Sequence, residues 1–212
     1  MKKFLLMLLS LMMICCGVLA EEAAVEETAD AITAATLNIT QLPEVEAQDN
    51  GILVVFFSPD DTTRAAAYAI AAGLNAGLFE IEAAEPYSEE DMDFMNAFSR
   101  SMQETRDPKA RPAIAALPEN LDKYDMILLG YPVWGGKAAK IMLTFIENVD
   151  LSGKTVVPFC TSNSSPFGSS DAEMKKLAGD SVTWKKGTRI TKGATADVVV
   201  SVWSVWNPQR FQ

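Results

Sequence analysis

The sequence of 212 residues contains no histidine. Without an imidazole side chain, the chain has no Ser-His or Cys-His catalytic pair, no histidine-based zinc site and no histidine proton shuttle. Basic residues are also few, 18 against 28 acidic residues, so the net charge is −10. Binding to a phosphate backbone needs a surplus of lysine and arginine. These absences exclude several enzyme classes and argue against nucleic acid as a partner.

Long apolar runs are also rare, and the first lies at the N-terminus. Two lysines precede an apolar run at residues 4–14, and the small residues at 18–20 follow it. This order predicts a signal peptide at residues 1–20 and therefore an exported protein, periplasmic, extracellular or tethered to the outer face of a membrane. Two alternatives stay open: residues 4–20 retained as a membrane anchor, or a lipid anchor on Cys16.

Cysteine is scarce, and two of the three cysteines lie inside the predicted signal peptide. Its removal leaves Cys160 as the single thiol, so no internal disulfide is possible. Cys160 ends an apolar run at residues 155–160. We therefore expect a buried residue that acts as a small hydrophobic side chain.

Residues 21–50 contain eight acids but neither a basic nor an aromatic residue. Such a segment buries too little apolar area to offset the entropy of ordering the chain. We predict a mostly disordered acidic tether. The remaining residues, 51–212, have a net charge of only −4, so much of the chain's acidity belongs to the tether.

From residue 51 onward, short apolar runs alternate with amphipathic or alanine-rich segments. The predicted strands are residues 52–57, 78–82, 124–129, 154–160 and 181–184. The predicted helices are residues 64–74, 88–105, 138–148, 170–177 and 196–206. The first begins at a Thr62 or Thr63 cap, and the second places Met92, Met95, Phe98 and Met102 in a core stripe. The alternation predicts one doubly wound α/β domain over residues 51–212, with helices on both faces of the sheet.

In such a sheet, ligands bind beyond the carboxyl ends of the strands. The loops at residues 58–63, 131–137 and 161–168 follow three predicted strands and are therefore the candidate binding loops.

Five segments of the chain, in order, resemble flavodoxins, and more narrowly the flavodoxin-like proteins that bacteria often export. They are residues 52–64 (ILVVFFSPDDTTR), 78–87 (LFEIEAAEPY), 111–114 (RPAI), 124–135 (YDMILLGYPVWG) and 151–161 (LSGKTVVPFCT). The resemblance implies a five-stranded parallel sheet in the order 2-1-3-4-5, with FMN at its carboxyl edge. It also implies electron transfer by the flavin, a chemistry that needs no histidine.

The resemblance implies a role for each candidate loop. Hydroxyls of Ser58, Thr62 and Thr63, with backbone N–H groups at a helix N-terminus, would bind the FMN phosphate. The ring of Trp134 would face the isoalloxazine from one side, and residues 161–168 would cover the other. The complete set of cofactor-binding residues implied in this way is Ser58, Asp60, Thr62, Thr63, Arg64, Pro132, Val133, Trp134, Gly135, Thr161, Ser162, Asn163, Phe167 and Gly168.

The first loop departs from the family pattern Ser-Arg-Thr-Gly-Asn-Thr, because it has the sequence SPDDTT at residues 58–63. Asp60 replaces a hydroxyl, and Asp61 replaces a glycine that lets the backbone approach the ligand. Two carboxylates beside a phosphate oppose its binding, by about 4 kcal/mol for one like-charge pair at short range. Arg64 offsets part of that repulsion.

We expect an exported FMN-binding protein of electron transfer, whose partner is a redox protein or a small-molecule acceptor. If it is an enzyme, it is an FMN-dependent oxidoreductase. The alternative is a non-catalytic flavodoxin-like module that has lost FMN and binds another ligand or a partner protein. A hydrolase using Ser58 or Ser164 lacks an evident base. We predict no catalytic residue and no metal ligand from the sequence alone.

Overall fold

The computed structural model describes residues 50–191. The predicted signal peptide, most of the acidic tether and the predicted closing helix at residues 196–206 lie outside the described residues. The strands are β1 (Ile52–Phe56), β2 (Gly77–Glu80), β3 (Met126–Trp134), β4 (Lys137–Ala138), β5 (Thr155–Thr161), β6 (Thr183–Trp184) and β7 (Thr188–Ile190). The helices are α1 (Thr62–Leu74), α2 (Arg100–Arg106), α3 (Ile141–Asn148) and α4 (Ala172–Ala178), with a 3-10 turn at Leu121–Lys123.

The sheet has the strand order β2-β1-β3-β5-β6, and all four of these pairings are parallel. In addition, β7 lies parallel to β5, and β4 forms an antiparallel hairpin with β3. Taken together, β6 and β7 form one edge strand that is interrupted at residues 185–187. The predicted five-stranded order 2-1-3-4-5 is therefore confirmed.

Both faces of the sheet are covered, as the continuous apolar runs require. On one face, the Phe56 ring meets the Tyr68 ring of α1 edge to face, with their centroids 6.3 Å apart. On the other face, Val55 belongs to a buried cluster that includes Phe145 of α3 and Met174 of α4. Every residue of β1 is buried.

The prediction of a helix over residues 88–105 is wrong for residues 88–99, because α2 begins only at Arg100. Polar side chains bind nearby backbone N–H groups instead: Asp91 accepts from Ser88, Asp93 from Met95 and Asn96 from Phe98. Such local bonds compete with helix formation.

The core stripe predicted within this segment is likewise wrong. The side chains of Met95 and Phe98 are 95% and 83% exposed. The apolar spacing therefore does not mark a helix face that packs on the sheet.

Among the element ends that differ from the prediction, two lie beside the candidate binding loops. Strand β3 continues past Gly130 to Trp134, because β5 pairs with it as far as Pro132 and β4 pairs with its last residues. Helix α1 has Asp61 as its N-cap residue, rather than Thr62 or Thr63. The C-cap residue of this helix is Asn75, which has a left-handed φ angle of 50°. Within the described residues, no helix is both long and apolar enough to cross a membrane.

Candidate functional site

The candidate site lies where β1, β3 and β5, which are adjacent and parallel, end at the same edge of the sheet. The first loop (residues 57–61) follows β1, the second loop (residues 135–136) follows β3, and the third loop (residues 162–171) follows β5. The chain leaves β1 toward β2 on one side and returns to β3 on the other. This edge is therefore the switch point at which doubly wound sheets bind ligands.

The first loop binds the N-terminus of α1 with its own side chains. The Ser58 hydroxyl accepts the N–H of Arg64 at 2.9 Å, and an Asp60 carboxylate oxygen accepts the N–H of Thr62 at 3.2 Å. Asp61 has a φ angle of 61°, in the left-handed region that favours glycine. The loop therefore makes a left-handed turn at an aspartate, at the position where the pattern given above has a glycine.

Arg64 is held by two carboxylates. It forms an ion pair with Asp61, and its Nε and Nη2 atoms donate to Glu80 at 3.0 Å and 2.5 Å. The hydrogen bond to Glu80 is the main cause that raises the pKa of the Arg64 guanidinium. The charge expected to offset Asp60 and Asp61 is thus already shared with Glu80, a residue of β2 that the sequence did not suggest.

Two further residues of the implied set contact each other. The hydroxyls of Thr63 and Thr161 lie 2.7 Å apart, and both residues are buried. Of the three hydroxyls assigned to a phosphate, those of Ser58 and Thr63 therefore have protein partners in buried positions. Thr62 is the more exposed one, and its hydroxyl lies 3.5 Å from the Asp60 carbonyl oxygen.

Trp134 lies inside an aromatic cluster rather than on an open surface. Its ring packs edge to face against Phe57 and Tyr87, with centroids 5.9 Å and 5.4 Å away, and it is only 2% exposed. The Phe94 ring lies 6.2 Å from it and is 52% exposed. The ring that this cluster presents to solvent is thus Phe94, which the sequence prediction missed because it placed Phe94 inside a helix.

Tyr87 is held within this aromatic cluster by two polar contacts. Its hydroxyl donates to Glu104 at 2.6 Å, and the Arg100 guanidinium lies 4.0 Å from its ring centroid. Burial, followed by the bond to Glu104, raises the pKa of Tyr87 above its ordinary value. Tyr87 is therefore a neutral positioning side chain in the physiological range.

The other implied residues of the second loop lie around the β3–β4 hairpin. Pro132 is buried and Val133 half-buried within β3 itself, not in a loop. Gly135 has a φ angle of 54°, and the left-handed turn that it makes begins the hairpin.

The third loop is stabilised by its own polar groups and by β7. The Ser162 hydroxyl accepts the N–H of Ser165 at 2.8 Å, while Arg189 donates to the carbonyl of Ser165 at 3.1 Å. Asn163 and Gly168 are exposed at this edge. The loop is thus held by hydrogen bonds within itself and from Arg189 of β7.

Phe167 attaches the third loop to the sheet. Its ring lies 6.5 Å from the Tyr131 ring, and a Cβ built on Gly187 would lie 2.2 Å from its Cζ atom. The ring therefore fills the space above the interruption between β6 and β7.

Cys160 is fully buried, as predicted. Burial raises the pKa of its thiol to about 12. It remains a neutral thiol near pH 7 and has no place in the chemistry of the site. Among the described residues, no group of three or more acidic or cysteine side chains lies close enough together to hold a metal ion.

A shallow cavity of about 590 Å³ lies along α2, and its lining includes Phe98, Gln103 and Arg106. None of its lining residues belongs to the three loops. This cavity is therefore separate from the site at the sheet edge.

Comparison with known proteins gives this geometry a context. A family model described as Flavodoxin matches residues 51–205. A "putative flavoprotein" from Bacteroides eggerthii DSM 20697 is 40% identical, with a TM-score of 0.67, over 73% of this chain and 96% of that chain. Another putative flavoprotein, from Bacteroides uniformis ATCC 8492, is 35% identical, with a TM-score of 0.69, over 74% of this chain and 99% of that chain.

A flavoprotein from Lactobacillus acidophilus NCFM, solved in complex with FMN, is 22% identical over 73% of this chain and 99% of that chain. Its TM-score of 0.55 shows a shared fold. The comparison with curated proteins found no match.

Proposed function

The chain belongs to the flavodoxin family, and we propose that its domain binds a flavin, FMN, at the carboxyl edge of the sheet and uses it for electron transfer. The observation that carries this proposal is the meeting of three ordered loops at the switch point between β1 and β3. A relative with the same fold was solved with FMN, which supports the choice of cofactor.

The part of the site that would contact the isoalloxazine ring, called the ring side below, suits a flavin. The aromatic cluster around Trp134 lies at this edge of the sheet. Its Phe94 ring is half exposed, beside the buried Trp134. Aromatic rings pack well against a planar heterocycle. We assign Phe94 and the third loop to the ring, with Trp134 and Tyr87 as positioning residues beneath it.

The part of the site that would contact the FMN phosphate, at the first loop and the start of α1, suits FMN less well. The amides at the start of α1 already bind Asp60 and Ser58, and Arg64 is shared by Asp61 and Glu80. A dianion at the start of α1 would therefore lie beside acidic side chains, and two of the N–H groups there already have partners.

A bound flavin would supply the redox chemistry. The protein's own residues would hold the ring, exclude water from one face and set the surrounding charge. The neutral Cys160 and Tyr87 would move no proton in the physiological pH range.

Flavin binding is tested by titrating FMN with the purified chain and following the quenching of FMN fluorescence. We expect saturation at one flavin per chain, with no quenching by the urea-unfolded chain. After anaerobic reduction, the complex should pass electrons to a dye or to cytochrome c. Absence of quenching at micromolar protein would contradict the proposal and favour the non-catalytic module that binds another ligand or partner protein.

We also propose that the domain works outside the cytoplasm, connected through the acidic tether to a processed or membrane-attached N-terminus. The support is the order of lysines, apolar run and small residues in the first twenty positions. The intact mass of the exported protein tests this. Loss of residues 1–20 fits cleavage, an added diglyceride mass on Cys16 fits a lipid anchor, and an unprocessed cytoplasmic chain contradicts export. The electron donor or acceptor would be a redox protein or a small molecule that meets the domain there.

A further inference from the structure

We propose that the site recognises a flavin by its ring and sugar-alcohol chain and gains little from a terminal phosphate, so that riboflavin binds about as well as FMN. The inference rests on the proposed function and specifies the ligand class of the same site. It follows from the charge, the hydrogen bonds and the backbone of the first loop.

The first argument is charge. Asp60, Asp61, Arg64 and Glu80 surround the start of α1, with Arg64 in contact with both Asp61 and Glu80. Three carboxylates and one guanidinium give this group a net charge of −2. A phosphate monoester has a charge of about −1.5 to −2 at neutral pH. Like charges at short range repel, so the group disfavours the phosphate and leaves an uncharged hydroxyl unaffected.

The second argument concerns hydrogen-bond donors. The N-terminus of a helix binds anions because its first N–H groups have no partner within the helix. In α1, the N–H of Thr62 already donates to the Asp60 carboxylate, and the N–H of Arg64 donates to the Ser58 hydroxyl. A phosphate would have to displace the Asp60 carboxylate to bind the first of these N–H groups and the Ser58 hydroxyl to bind the second.

The third argument is the residue at the left-handed position. Asp61 has a φ angle of 61° and forms the ion pair with Arg64. A glycine at this position would keep the same turn without a side chain, and would leave Arg64 with Glu80 alone.

The guanidinium of Arg189 lies near the third loop, where it donates to the carbonyls of Ser164 and Ser165. Its positive charge therefore lies on the side of the site assigned to the flavin ring.

The test compares riboflavin with FMN on the full chain. We expect dissociation constants within about threefold of each other for the natural sequence, a difference well under the tenfold that corresponds to about 1.4 kcal/mol. Added salt should tighten FMN relative to riboflavin, because it screens a repulsion. FMN binding more than about tenfold tighter than riboflavin would overturn the inference and leave the proposed function standing.

Variants of the first loop sharpen the test. Asp60→Asn keeps an acceptor for the Thr62 N–H and removes one charge, and the double variant D60T/D61G restores the family pattern at positions 60 and 61. We expect the double variant to tighten FMN by at least about tenfold while riboflavin stays within about threefold. The single variant should move FMN in the same direction by a smaller factor.

The matched control is Asp150→Asn. Asp150 accepts the N–H of Ser152 at 2.9 Å, which is the same local bond as that of Asp60, and it lies at the opposite edge of the sheet before β5. This variant should leave both affinities unchanged. If both first-loop variants fold and neither tightens FMN, the inference is overturned. If neither flavin binds to any of these chains, the proposed function fails and this inference fails with it.

Discussion

The hydroxyls of Thr63 and Thr161 form a buried hydrogen bond, 2.7 Å long, between the first turn of α1 and the end of β5. It connects α1, which follows the first loop, to the end of β5, which precedes the third loop. Because both residues are buried, a hydroxyl that loses its partner here also has no water to bind. The pair therefore stabilises the packing of α1 against the end of β5.

We predict that Thr63→Val and Thr161→Val each lower the free energy of unfolding by about 1–3 kcal/mol, the cost of one unsatisfied buried hydroxyl. The double variant should cost less than the sum of the two, because it removes both partners. Urea denaturation followed by circular dichroism measures this. Thr62→Val, which changes a more exposed hydroxyl, serves as the control and should stay within about 0.5 kcal/mol. Additive costs would contradict the coupling.

A second prediction concerns the interruption between β6 and β7. A Cβ on Gly187 would lie 2.2 Å from the Phe167 ring and 2.6 Å from the Pro158 carbonyl oxygen. We expect Gly187→Ala to destabilise the domain by about 1–3 kcal/mol, as overpacking does. Combining it with Phe167→Ala should cost less than the sum of the single changes, with only partial relief because the Pro158 contact remains. Equal thermal midpoints for G187A and the natural sequence would refute this packing.

A third prediction concerns the buried Lys140. Its ammonium donates to a Glu173 carboxylate oxygen at 2.6 Å, and the more exposed Lys137 contacts the other oxygen at 2.9 Å. Glu173→Gln should lower the free energy of unfolding by about 1–3 kcal/mol, because it leaves a buried ammonium without its counter-charge. Lys140→Met should cost less than about 1 kcal/mol, since Glu173 keeps Lys137 and water. Urea midpoints of the two variants check the asymmetry, and equal losses would contradict it.

The same pair gives a pH dependence. Partial burial acts to raise the pKa of Glu173, but the bonds from Lys140 and Lys137 outweigh it and hold the pKa below its usual range. A depressed folded-state pKa stabilises the protein above the unfolded value, about 4.3, and this contribution is lost as pH falls through the folded-state pKa. The difference in stability between the natural sequence and E173Q should therefore shrink in acid.

The sheet could be predicted from the sequence because each central strand is a short continuous apolar run. Buried strands of this kind, such as residues 52–57, need no long-range information to be recognised. The conformation of residues 88–99 could not be predicted in this way. The apolar residues of this segment have helical spacing, but Asp91, Asp93 and Asn96 bind backbone N–H groups in turns. The spacing of apolar residues does not show whether hydrogen bonds from side chains to the backbone compete with helix formation.

The site shows the same limit at the level of single residues. The sequence places Arg64 beside Asp60 and Asp61, but it does not show that Glu80 of the neighbouring strand binds the same guanidinium. Likewise Trp134 was expected to present its ring, and Tyr87 from a distant segment covers it. Both contacts join parts of the chain far apart in sequence, so only the fold reveals them.

The last prediction concerns Phe94, the half-exposed ring beside Trp134. If it holds the flavin ring, Phe94→Ala should weaken both riboflavin and FMN by about threefold to tenfold, the effect of losing one aromatic contact of about 0.5–1.5 kcal/mol. Fluorescence quenching measures both affinities. Phe98→Ala is the matched control, because Phe98 is more exposed and makes no ring contact with the described aromatic cluster. Equal weakening by the two variants, or none by F94A, would place the flavin ring elsewhere.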